Sequence, residues 1–462
     1  MTELQKIDAF VEANRENILR DIARLVAVPS VQEAPLPGMP FGEGPAKALD
    51  KALEIARDLG LTAVNCENYI GYAEIPGESA DKYLATITHC DVVPVGNGWD
   101  TDPYKMEIRD GWMLGRGVCD DKGPGILCLY ALKYLQDSGA KLRYPVRALL
   151  GANEETGMLD VDYYCKNYPA PAFCFTPDAS FPVCNGEKGH FSGCIVGPKA
   201  GEGDLLAFEG GVANNAVADR ATALIRGVRT LEGVPGRITV ETEGENTRLR
   251  AYGIAGHAAM PEGTLNAISL LVNYMMDNGI GSEAERRYFA ALQKLHAATD
   301  GSGLGLACAD EVFHALTIIG GVMMTTRDGR FCQTWDCRYP TAATGAALKE
   351  KVVAAVGDLA EVCHVHYNDP FYISADHPAI RACIDTFNQV TGQNAQPFTM
   401  GGGTYARHFP CAVSFGPEVD DLELPAFAGH IHGANEAAPI EIFMQALKIY
   451  ILTLLKLEQL DF

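Results

Sequence analysis

The sequence is short of positive charge: 37 Lys and Arg stand against 59 Asp and Glu, a formal charge of -22. A chain that acidic repels phosphate backbones and anionic membrane surfaces, which argues against nucleic-acid and membrane partners. It also lacks any uninterrupted apolar run long enough to span a bilayer. Its opening residues, MTELQKIDAFVEANRENILRDIARLV, have no basic start, apolar block or small-residue cleavage site of a secretory signal. The 14 cysteines contain no C-x-x-C pair. Without a secretory signal they read as buried small hydrophobes rather than a disulfide framework. No short-period repeat and no low-complexity segment is present. The expectation is a cytoplasmic globular protein.

What is present is enough apolar material for a full core, 47% of 462 residues, and a length that suggests two or three compact units. Apolar residues at three- and four-residue steps (Ile7, Phe10, Val11, Ile18, Ile22, Leu25, Val26) predict an opening helix. A Pro- and Gly-rich loop follows over 29–44, then a second helix over 46–59. Short strand-like runs at 83–88, 146–151 and 172–176 lead into His89, Glu154-Glu155 and Asp178, with a helix over 123–135 between the first two. Strands alternating with helices predict an α/β sheet with a parallel component. Beyond 185 the texture turns to Gly-rich, β-branched alternation at 237–242, 247–254, 314–319, 331–338 and 364–367. Helix-like segments begin near 265 and at 346. Helical signal returns at 378. The predicted organisation is a catalytic domain in two parts, 1–186 and 378–462, interrupted by an inserted α+β domain over 187–377.

Each of His89, Glu154-Glu155 and Asp178 stands at the carboxyl end of an apolar run. In an open α/β sheet that edge is where ligands bind, so residues far apart in sequence can converge there. His89-Cys90-Asp91 suits a metal-ligating imidazole fixed by a neighbouring carboxylate. Asp120-Asp121 lie in a Gly-flanked turn just before a helix; capping of that helix is the plain alternative, above all for Asp121. Two adjacent glutamates in an irregular segment can point differently, one to a metal and one to a water.

Taken in order, H-C-D, G-R-G-V-C-D-D-K-G, N-E-E-T-G, T-P-D-A, A-G-H-A and H-G-A-N-E resemble the dinuclear-zinc exopeptidases and aminoacylases, a family that includes carboxypeptidase G. The long insert, D-C-R-Y-P at 336–340 and G-G-G-T-Y-A-R at 401–407 are similar to the PepV-type dipeptidases. The resemblance implies a zinc-exopeptidase-like catalytic domain, a mixed sheet flanked by helices, with the insert as a lid. It implies two divalent metal ions, zinc by default, with manganese or cobalt as substitutes. Asp120 would bridge them, His89 and Asp178 would complete one, and Glu155 and His432 the other. His430 is a rival to His432, which the H-G-A-N-E context favours. Glu154 would be the general base and Asp91 would orient His89. From the insert, His257 would stabilise the oxyanion with Asn215 beside it. Arg338 and the backbone of Gly401, Gly402 and Gly403 would hold the substrate's C-terminal carboxylate.

The implied reaction is cleavage of a dipeptide amide bond by a metal-activated hydroxide, with Glu154 relaying the proton to the leaving amine. The partner is a small peptide substrate. The long insert supplies its own histidine, which favours a monomer over a homodimer. An N-acyl-amino-acid deacylase with the same metal chemistry is the near alternative, and an inactive binding protein on the same fold the remote one.

Overall fold

The computed structural model describes residues 1–419 and 422–462, and the chain divides into two compact units. The first comprises Met1–Gly186, Tyr372–Phe398 and Gly403–Phe462; the second comprises Glu187–Phe371 and Thr399–Gly402. The return to the first unit thus falls at Tyr372 rather than 378, because Ile373 already hydrogen-bonds with Asn185 of that unit ahead of the helix Pro378–Thr391. Gly401 and Gly402 belong to the second unit, away from the segment in which the sequence expectation put them.

In the first unit the sheet runs in the order Thr62–Cys66, Ile70–Ile75, Val146–Gly151, Leu84–His89, Phe173–Thr176, Ala412–Ser414, Cys184–Glu187. The four strands from Val146–Gly151 to Ala412–Ser414 are mutually parallel, and antiparallel strands extend the sheet on both sides. Every residue of Leu84–His89 is buried, as expected for a parallel strand covered on both faces. Parallel pairing puts the carboxyl ends on one edge: His89 pairs with Gly151, and Thr86 with Phe175. The residues that follow these strands therefore start from the same rim.

Helices supply the cover. Glu3–Val26 begins in a capping box formed by Thr2 and Gln5 and buries Ile7, Val11, Ile18, Ile22 and Leu25 on one stripe. It packs on Lys122–Asp137 and Ile440–Leu457. Each such side chain contributes roughly 1.5–3 kcal/mol on burial, so Ile18→Asp is the kind of single change that would detach the helix. Lys122–Asp137 is buried nearly all round and is the central helix of this layer. Among the described residues, no helix is long and apolar enough to cross a membrane.

The second unit is an antiparallel sheet in the order Ile238–Glu243, Asn246–Tyr252, Arg220–Ile225, Leu205–Gly210, Thr317–Thr325, Arg330–Tyr339, Gly189–Lys199, Glu361–Asn368. The helices Ala267–Asp277, Glu283–His296 and Gly345–Val356 pack on it around a core that includes Phe191, Ile195, Phe331 and Trp335.

Candidate metal centre

His89 is the last residue of its strand, and its ring is held from one side. Nδ1–H donates to the backbone carbonyl of Asp91 at 3.0 Å, which leaves Nε2 facing Asp120 Oδ1 at 2.9 Å and Asp178 Oδ2 at 3.9 Å. That bond fixes a proton on Nδ1. The Asp91 carboxylate lies 3.5 Å from Nδ1 and spends its oxygens elsewhere, accepting from Glu154 N and Glu155 N at 3.2 Å each. One residue thus orients the histidine through its carbonyl and the two glutamates through its carboxylate.

Asp120 is joined to Asp121 by a cis peptide bond. Its second oxygen, Oδ2, lies 2.8 Å from His432 Nε2, which is also 3.3 Å from Glu155 Oε2. His432, not His430, is the ring that reaches the carboxylates; its backbone is left-handed at φ 62. Asp121 stands at the start of the helix Lys122–Asp137 but makes no side-chain cap. Its Oδ2 accepts from His89 N at 3.2 Å, and its buried Oδ1 is without a hydrogen-bond partner.

Among the described residues, two sets of three potential ligand atoms lie within 4.8 Å of one another: His89, Glu154 and Asp178, and His89, Asp120 and Glu155. The charges there are mutually adverse. Burial, then the nearby Asp178, pushes the Glu154 carboxyl well above the usual range. Burial, then Asp120, raises Asp178 to about 7. Burial works against ionisation of Asp120 too, but hydrogen bonds from His432 and His89 hold it below the usual carboxylate range. Hydrogen bonds with Asp120, then Glu155, push His432 up to about 11. Four carboxylates crowd around two imidazoles that are drawn to the charged form. A hard or borderline divalent cation fits such an N/O donor set and would relieve the excess negative charge.

Two residues with no role expected from the sequence complete the framework. Glu436 Oε1 accepts from Gly117 N, Cys119 N and Asp120 N at 3.1, 3.0 and 3.3 Å, and Oε2 accepts from Arg116 Nη1 at 2.6 Å. Arg116 Nη2 donates to the carbonyls of His432 and Gly433 at 3.2 Å each. This fully buried pair ties the Asp120 turn to the His432 turn. Both residues stand inside motifs visible in the sequence, G-R-G and H-G-A-N-E, which was the available signal.

The second unit carries the remaining expected residues. Ala258 N donates to Asn215 O at 2.8 Å, and Ala216 pairs with His257, so Asn215 and His257 are neighbours. Ala259 N donates to His257 Nδ1 at 3.2 Å, which makes Nε2 the protonated nitrogen and a donor. Desolvation, then the Arg338 cation, keeps the His257 pKa below the ordinary histidine value. Arg338 donates through Nε and Nη2 to Asp336 at 2.7 and 3.2 Å, and through Nη1 to Gly401 O at 2.8 Å. Gly401 therefore presents its carbonyl, not its amide, to that arginine. Gly403 lies in the first unit.

A family model, Peptidase family M20/M25/M40, matches residues 85–456. The putative dipeptidase YtjP of Bacillus subtilis (strain 168) is 30% identical over 454 residues, 94% of this chain and 96% of that one. The Beta-Ala-Xaa dipeptidase of Lactobacillus delbrueckii subsp. lactis is 28% identical over 462 residues, 96% of each. Among solved structures, the M20 family metallo-carboxypeptidase Sso-CP2 of Sulfolobus solfataricus superposes with a TM-score of 0.61 at 18% identity, covering 96% of this chain and 99% of that one. At that identity the likeness shows the fold.

Proposed function

The chain belongs to peptidase family M20/M25/M40, and on that premise we propose that it is a cytoplasmic two-metal dipeptidase, monomeric, with zinc as its metal. The observation that carries the reading is Asp120, whose two oxygens face two different histidines, His89 at 2.9 Å and His432 at 2.8 Å. One carboxylate placed between two imidazoles suits a residue shared by two cations. His89 and Asp178 would complete one site, Glu155 and His432 the other. Bound there, the ions would polarise the substrate carbonyl and make water more acidic.

The chain's own residues do the rest. Glu154, its backbone held by Asp91, takes a proton from the attacking water and passes it to the leaving amine nitrogen. His257, a neutral donor at Nε2, offers a hydrogen bond to the carbonyl oxygen as charge develops on it, with Asn215 beside it. Arg338 uses three of its N–H groups on Asp336 and Gly401. The rest, with the backbone of Gly401, Gly402 and Gly403, remain for the C-terminal carboxylate of the substrate. The roles of His257, Arg338 and the glycines rest on the family resemblance.

The test is metal analysis coupled to a substrate panel, with Glu154→Gln as control. We expect two divalent ions per chain, hydrolysis of dipeptides, and poor turnover when the C-terminus is amidated. Glu154→Gln should keep its metal and lose about 10²- to 10⁴-fold in kcat. An active Glu154→Gln would remove the assigned base. Turnover confined to N-acetyl and N-succinyl amino acids would make the chain a deacylase.

A further inference from the structure

Four consecutive backbone N–H groups at the end of the strand Val146–Gly151 point at two buried carboxylates. Asp91 takes those of Glu154 and Glu155, as described. Asp160 Oδ2 takes the two before them, from Ala152 N at 2.7 Å and Asn153 N at 2.9 Å. Asp160 is fully buried, and its Oδ1 accepts from Val161 N at 2.7 Å. The equally buried Tyr405 donates its hydroxyl to Oδ2. Gly151 leaves the room this needs: a Cβ there would stand 2.1 Å from the Tyr405 hydroxyl oxygen and 2.5 Å from Asp160 Oδ2. The loop closes on itself through Met158 N to Asn153 O at 2.8 Å and Leu159 N to Asn153 Oδ1 at 3.1 Å.

We infer that Asp160 and Tyr405 are a positioning pair that sets the aim of Glu154 and Glu155. The inference rests on the reading of Glu154 as the base. Hydrogen bonds from amides to a carboxylate are charge-assisted and stronger than neutral ones. With Asp160 on one side and Asp91 on the other, each peptide plane from 152 to 155 is held by a hydrogen bond to a carboxylate. The two glutamate side chains must then diverge from a fixed backbone. Tyr405 acts through Asp160. It opens the short helix Tyr405–His408, two residues after Gly403. A misplacement of about 1 Å in such a constellation can cost on the order of 100-fold in rate.

The experiment is Tyr405→Phe and Asp160→Asn, singly and together, with kcat, KM, metal content and thermal unfolding measured beside wild type and Glu154→Gln. Expected losses in kcat are about 10-fold for Tyr405→Phe and about 100-fold for Asp160→Asn, with KM within about twofold. Metal content stays at the wild-type value. The double variant is no slower than Asp160→Asn, because the hydroxyl acts through the charge that Asp160→Asn removes. If Asp160→Asn does not fold, Tyr405→Phe decides alone, since it keeps the ring. Tyr405→Phe with wild-type kcat and a lowered melting temperature would make the pair merely structural and overturn the inference. Loss of metal in proportion to kcat, or independent effects in the double variant, would overturn it as well. An active Glu154→Gln would instead sink the reading of the base, and so separates the two failures.

Discussion

His89, Asp91 and Asp120 in the first unit and His257 and Asn215 in the second are held in opposite ways. In the first, the side chains of His89, Asp91 and Asp120 are 0%, 1% and 7% exposed, and carboxylates are held by several donors at once: Asp91 by two amides, Glu436 by three amides and Arg116. In the second, His257 and Asn215 are exposed and rest on paired backbone segments, flanked by Val212 and Met260 at 95% and 72% exposure. A buried carboxylate such as that of Asp120 needs a rigid frame, because desolvation magnifies every charge misplaced there. Groups that meet a substrate must stay open. The difference teaches that damage should separate: stability and metal in the first unit, kcat or KM in the second.

The largest effect tests the first half. Removing divalent cations with a chelator should abolish turnover and lower the melting temperature, because the four carboxylates Asp120, Glu154, Glu155 and Asp178 are then left with only the imidazoles of His89 and His432 as counter-charge. At about a thousandfold excess over Kd, a bound ion stabilises by roughly 4 kcal/mol. Calorimetry with and without chelator, followed by metal restoration, reads both effects; an unchanged melting temperature would break the comparison. Glu436→Ala comes next. It strands a buried guanidinium and three amides, and breaking such a pair costs about 3–5 kcal/mol, measurable by denaturant unfolding.

His257→Ala probes the other half. Deleting a donor to a developing oxyanion costs about 100-fold in kcat. With His257 on the surface, metal content and melting temperature should not move. A fall in stability comparable to that of Glu436→Ala would erase the distinction between the units.

The same contrast governs what could be read before the structure. The strand-end positions of His89, Glu154-Glu155 and Asp178 were legible because a buried parallel strand is a continuous apolar run with a polar residue at its end. The Arg116–Glu436 pair was not, since its members lie 320 residues apart and nothing local names the partner. Asp121 occupies the capping position expected of it, yet its side chain turns to the His89 amide. In the second unit the eleven-residue strand Gly189–Lys199 escapes a reading based on β-branched alternation. Its glycines make room for rings: a Cβ at Gly193 would lie 2.4 Å from Trp335, and one at Gly197 2.5 Å from Tyr288. The helix Glu283–His296 is absent from the sequence reading, although the capping box of Ser282 and Glu285 announces it.

The smallest predicted effect falls on Arg338, whose side chain is 11% exposed. Arg338 spends Nε and Nη2 on Asp336 and one Nη1 hydrogen on Gly401 O. A lysine carries a compact charge and no planar fork, so Arg338→Lys cannot keep the Asp336 contact and still grip a carboxylate in two places. KM for a free dipeptide should rise about tenfold, roughly 1.4 kcal/mol, with kcat little changed. The preference for a free over an amidated C-terminus should shrink in step, which steady-state kinetics on matched substrates would show. If KM holds and the melting temperature falls instead, Arg338 serves the strand through Asp336, and the substrate carboxylate must be held by other groups.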